Sequence, residues 1–109
     1  MILEVAILDV IESQTPAFEL AFKEAEKIIR SMQGYINHDL KKCLEKKNRY
    51  ILLVNWETLE DHTIGFRQSP QYSEWKKLLH HFYDPFPTVE HFQTILFYFG
   101  TLLSSTLAF

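Results

Sequence analysis

The side chains best suited to chemistry gather in one stretch of the chain: Asn55 and Trp56 at the end of an apolar run, His62 and Arg67 after it, then Tyr72, Trp75 and His80. Amide, indole and phenol groups donate hydrogen bonds, a guanidinium can stabilise an oxyanion, and an imidazole titrates where a proton can be moved near neutral pH. Each also has a structural use. Trp56 can anchor the corner where the apolar run stops, Arg67 can neutralise carbonyls at the end of a short helix, and Tyr72 with Trp75 can form one packing stripe. Asn55 shares a strand face with Ile51 and Leu53, and an amide buried there must find hydrogen-bond partners. His62 can act as an acid or base or simply as a polar contact.

The histidines do not spell a metal site. His80 and His81 are adjacent, so on a helix they diverge by about 100°. No His lies four residues from another, and Cys43 has no Cys or His at ligand spacing, so no metal is expected. A single cysteine cannot form an internal disulfide and fits a reducing compartment. The formal net charge is −3, with the densest basic cluster, Lys46-Lys47-Asn48-Arg49, at a turn; this is not the footprint of a nucleic-acid binder. No basic stretch leading into an apolar segment opens the sequence, so the expected location is cytoplasmic.

Around the candidate residues the pattern alternates strands with amphipathic helices. Ile2 to Ile11 is apolar except for Glu4, Asp9 and reads as a strand. Thr15-Pro16 offers a capping hydroxyl and a proline at the first helical position, and Phe18, Ala21, Phe22, Ala25, Ile28, Ile29 and Met32 then recur at helical spacing up to Gly34. Tyr35 to Leu44 and Tyr50 to Trp56 read as two strands joined by the lysine-rich turn. Thr58 with Asp61 resembles a capping box, Ser69-Pro70 repeats the cap-plus-proline signal for a helix through about Phe82, Asp84-Pro85-Phe86-Pro87 breaks it, and Val89 to about Phe97 can form a last strand. The order is βαββαβ, an α+β ferredoxin-like fold with one antiparallel sheet and a second helical region split in two.

Tyr50, Leu52 and Val54 point to one face of the third strand and Ile51 and Leu53 to the other, and the first strand alternates likewise. Helices on one side cannot cover both faces. The second cover is either the same sheet from another copy of the chain or the apolar tail folded back. The domain is taken as residues 1–97 and the tail as 98–109, where no charged residue follows His91; with its Ser, Thr and Gly content it reads as a packed segment ahead of a membrane anchor.

The strand end Val54-Asn55-Trp56-Glu57, the helix junction Phe66-Arg67-Gln68-Ser69-Pro70-Gln71-Tyr72 and the segment from Pro87 to His91, in that order on this fold, resemble the antibiotic biosynthesis monooxygenase (ABM) family. The resemblance implies a homodimer whose two sheets close into a dimeric α+β barrel, with a small-molecule pocket between sheet and helices in each chain. It also implies cofactor-independent oxygenation of a small aromatic or quinol substrate. A phenol or hydroquinone, once deprotonated, can pass an electron to O₂ itself, so the protein need only bind the ring, favour the phenolate and exclude water. On this reading Asn55, His62 and Tyr72 are catalytic, and Trp56, Phe66, Arg67, Trp75 and His80 bind the substrate. The haem-degrading branch fits poorly: its Asn, Trp and His positions carry Val5 or its neighbours, Phe66 and Lys76, and no cofactor is expected. The alternative within the same fold is a non-catalytic dimer that binds a small ligand.

Overall fold

The computed structural model describes residues 1–98. Strands β1 (Ile2–Asp9), β2 (Tyr35–Lys42), β3 (Arg49–Trp56) and β4 (Val89–Phe92) form one antiparallel sheet in the order β2-β3-β1-β4. Helix α1 (Thr15–Arg30) connects β1 to β2, and a π-helical segment (Asp61–Phe66) followed by α2 (Pro70–Leu79) connects β3 to β4. This is the ferredoxin-like arrangement expected from the pattern. The central register pairs Glu4 with Val54, Ala6 with Leu52 and Leu8 with Tyr50.

Strand alternation sorts the sheet into two unlike faces. Ala6, Leu8, Tyr50, Leu52, Val54 and Trp56 are buried beneath the helices, where Phe18, Phe22, Ala25 and Ile29 of α1 and Trp75 and Leu79 of α2 complete the core. Leu3, Val5, Ile7, Ile51 and Leu53 line the opposite face, which no helix among the described residues covers.

Several boundaries differ from the sequence reading for local reasons. Thr15 does not cap α1. A short turn at Glu12–Gln14 precedes the helix, Gln14 takes the cap position without a side-chain bond, and Thr15 lies inside the first turn. Ser69 does cap α2, accepting the Tyr72 N–H at 3.2 Å. Thr58 accepts the Asp61 N–H at 3.1 Å, as a capping box requires, but the segment it opens is π-helical, with the Arg67 N–H reaching back to the His62 carbonyl at 3.1 Å. The last strand stops at Phe92 because its register partner there is Leu3, near the start of β1, and the pairing runs out. Residues 99–109 of the tail lie outside the described residues.

Gly34 ends the first helical connection with φ of 84°, a conformation costly for any residue with a Cβ. A Cβ here would also collide with the Asp61 side chain, and the Gly34 carbonyl accepts the Glu57 N–H at 2.8 Å. The residue thus lets the α1–β2 turn seat against the end of β3 and the start of the π-helical segment.

Candidate active site

A cavity of about 450 Å³ opens between the covered face of the sheet, the π-helical segment, α2 and the chain from Tyr83 to Val89. Ala6, Leu8 and Leu52 form an apolar floor, and Phe66, Trp75, Phe86, Pro87 and Val89 form apolar walls. The polar groups on it are Glu4, His62, Arg67, Tyr72, His80 and Tyr83.

The π-helical segment is what turns His62 and Phe66 inward together. Its wide turn places these two side chains against the sheet, where both are buried, and leaves the exposed Arg67 at its end beside the opening. The first turn of α2, fixed by the Ser69 cap, presents Tyr72, whose ring meets Phe66 edge-on at 5.1 Å; Trp75, one turn on, meets Phe66 at 5.5 Å. His80 closes the far wall, with its ring against Phe86 at 4.9 Å.

Six of the eight residues singled out from sequence therefore line one cavity: His62, Phe66, Arg67, Tyr72, Trp75 and His80. Asn55 and Trp56 do not. Asn55 belongs to the uncovered face of β3, where its amide donates to the Asn37 side chain at 2.8 Å; strand alternation carries it away from the cavity that its neighbours face. Trp56 is fully buried in the core, yet its indole N–H donates to Glu4 Oε1 at 2.9 Å, so it touches the site from behind. His91, on β4, pairs across the sheet with Glu4 and bonds to His62. His38 lies elsewhere, bonded to Tyr35 and, at 2.9 Å, to Glu26 of α1.

Glu4 is the group that residue spacing did not bring forward. Its signal was present as the lone carboxylate on the inward face of β1, in step with Ala6 and Leu8. It is 6% exposed, and burial pushes its carboxyl up to about 7, with the Trp56 hydrogen bond and the Arg67 charge pulling the other way. His62 approaches the same Oε1 with Nε2 at 3.3 Å and places Nδ1 2.8 Å from His91 Nε2. Burial, then the charge of Arg67 and the neighbouring His91, lower His62 to about 3. Its ring is therefore neutral at working pH, and its contact with Glu4 is that of an imidazole with a carboxyl group, not an ion pair. Trp56 stacks on it at 5.3 Å and 16°. His91 is lowered by burial and then by Arg67. Burial also lowers His80, with Lys76 adding to the effect, and raises the phenols of Tyr72 and Tyr83. Among the described residues no group of three or more His, Cys, Asp or Glu side chains is arranged to hold a metal ion, and no helix is long and apolar enough to cross a membrane.

The sequence profile of the family described as antibiotic biosynthesis monooxygenase matches residues 1–78. The chain belongs to this family. It is 58% identical over 95 residues to the uncharacterized protein YczJ of Bacillus subtilis (strain 168), a match spanning 87% of this chain and 100% of that one. A crystal structure from Bordetella bronchiseptica, of a protein given the same family name, superposes with a TM-score of 0.83 at 33% identity, over 87% of this chain and 97% of that one. The fold is also that of the Streptomyces coelicolor monooxygenase from ActVA-Orf6, solved with the ligand nanaomycin D, at a TM-score of 0.76, 15% identity and 92% coverage of each chain. In this ABM chain the matched region carries β1 through most of α2, and with them Glu4, His62, Arg67, Tyr72 and Trp75.

Proposed function

We propose that this ABM protein is a cofactor-independent monooxygenase acting on a small aromatic or quinol substrate, and that it works as a homodimer. The observation that carries the reading is the buried Glu4 carboxyl, poised near pH 7 on the wall of an apolar-floored cavity. A base is most effective when its pKa lies close to the working pH.

In this reaction the Glu4 carboxylate takes the proton of a phenol or an acidic ring CH₂. The ring anion gives one electron to O₂, and the resulting radical and superoxide combine into a ring-bound peroxide. Protonation of the peroxide by Glu4 and loss of water leave a carbonyl on the ring. One oxygen atom ends in the product and the other in water, and both electrons needed come from the substrate. Arg67, whose guanidinium makes no hydrogen bond or ion pair among the described residues, stabilises the anion and the peroxide. Phe66, Trp75 and Phe86 hold the ring and keep water out. The S. coelicolor monooxygenase of the same fold binds the ligand nanaomycin D, which supports a small-molecule ligand for this cavity.

Oxygen uptake with a panel of anthrones and hydroquinones, without added flavin or metal, tests the reading. The expected result is one O₂ consumed per substrate oxygenated; ring binding with no uptake by any member would leave a ligand-binding protein.

The homodimer reading rests on the uncovered sheet face, where Val5 pairs with Leu53 and Ile7 with Ile51 in a continuous apolar patch. Leu53→Glu is expected to shift the sedimentation profile toward a 13.0 kDa species and to lower solubility, whereas the inward Leu52 is a core position. A monomeric wild-type protein at micromolar concentration would overturn the dimer.

A further inference from the structure

The two histidines behind Glu4 have no task in the chemistry above, yet they connect the buried carboxyl to the surface. His62 Nε2 lies 3.3 Å from Glu4 Oε1, its Nδ1 lies 2.8 Å from His91 Nε2, and His91 stands half-buried on the edge strand β4. Three separate elements contribute one member each. Trp56, stacked on His62 and bonded to Glu4, packs against both groups.

We propose that His62 and His91 form a proton relay through which Glu4 exchanges its proton with solvent while a substrate ring fills the cavity. The inference rests on the monooxygenase reading for its purpose, since a ring in the opening blocks direct exchange and a protonated Glu4 cannot serve as base. The transfer balances. Glu4 gives its proton to His62 Nε2, the Nδ1 proton of His62 passes to His91 Nε2, and the Nδ1 proton of His91 leaves to water. Glu4 is then ionised and faces the His62 Nε2–H, both rings are again neutral, and each has exchanged one tautomer for the other. The reverse shift reprotonates Glu4. The other titratable or charged groups around the line are Arg67 at the end of the π-helical segment, Tyr72 and His80 from α2 and its end, and Tyr83 from the following turn; the 2.8 Å contact leaves no room for any of them between the histidines. His91 touches no substrate and acts through His62.

Histidine ¹⁵N NMR across the Glu4 titration tests the relay without any activity. The expected result is a tautomer change at His62, from Nδ1–H with Glu4 protonated to Nε2–H with Glu4 ionised, which is lost in Glu4→Gln. A His62 that keeps one tautomer throughout, or that becomes charged instead, would overturn the relay. In turnover, His91→Gln retains a hydrogen-bond donor toward His62 but has no proton to pass on, so a loss of about ten-fold is expected; His91→Ala is expected to recover with free imidazole. Wild-type turnover in His91→Gln would also overturn it. The tautomer change in a protein that consumes no O₂ with any substrate would uphold the relay and sink the monooxygenase reading instead.

Discussion

Glu4→Gln is expected to cut turnover of an accepted anthrone by about a hundred-fold or more, the range general-base removal commonly costs, while making the folded chain more stable above neutral pH. The two effects have one cause. The carboxyl titrates near 4.5 when solvated and at about 7 in the fold, so between those values the folded chain holds a proton that the unfolded chain has released. Stability contributed by this group is therefore complete below about pH 4.5 and falls as the pH rises through about 7. The full loss is on the order of 3 kcal/mol. Gln keeps the shape and can still accept the Trp56 N–H, but carries no charge to desolvate. Urea unfolding should show the variant gaining on wild type at pH 8 and little difference at pH 4, which lies below both titrations. A variant less stable at pH 8 would mean that Glu4 is held by contacts stronger than the cost of its burial.

Trp56→Ala is expected to destabilise the fold by about 3 to 5 kcal/mol, the usual result of emptying a fully buried aromatic site. Trp56 meets Tyr35, His62 and Phe66, and its indole N–H donates to Glu4. Trp56→Phe separates packing from the hydrogen bond. The indole N–H favours the ionised carboxyl, so its loss raises Glu4 further, and the acid limb of activity should move to higher pH with most of the stability retained. An unmoved limb would show that the indole serves packing alone.

Helix positions were the most legible part of the site. His62, Phe66, Arg67, Tyr72, Trp75 and His80 follow the two capping signals at Thr58 and Ser69, and those caps set which residues turn toward the sheet. The strands were harder. A period of two assigns residues to faces but does not say which face carries the helices, because both are apolar. Asn55 was therefore grouped with the cavity although it shares the uncovered face with Ile51 and Leu53. Glu4, on the other hand, read as an interruption in an apolar run. Its importance depends on Trp56 and His62, which lie far away in sequence and meet it only through the β1–β3 register and the wide π-helical turn. His91 became visible for the same reason, as the cross-strand neighbour of Glu4. Nothing in local spacing marks such a group; a lone carboxylate on the inward face of a central strand is the signal that could have found it.

The central claim is that the Glu4 carboxyl is the base of an oxygenase, and the pH dependence of kcat/KM for O₂ uptake tests it most directly. The rate should rise through a single ionisation with its midpoint at about 7, reach a plateau on the alkaline side, and lose that limb in Glu4→Gln. A wild-type profile flat across this range, or the same limb retained in the variant, would contradict the assignment.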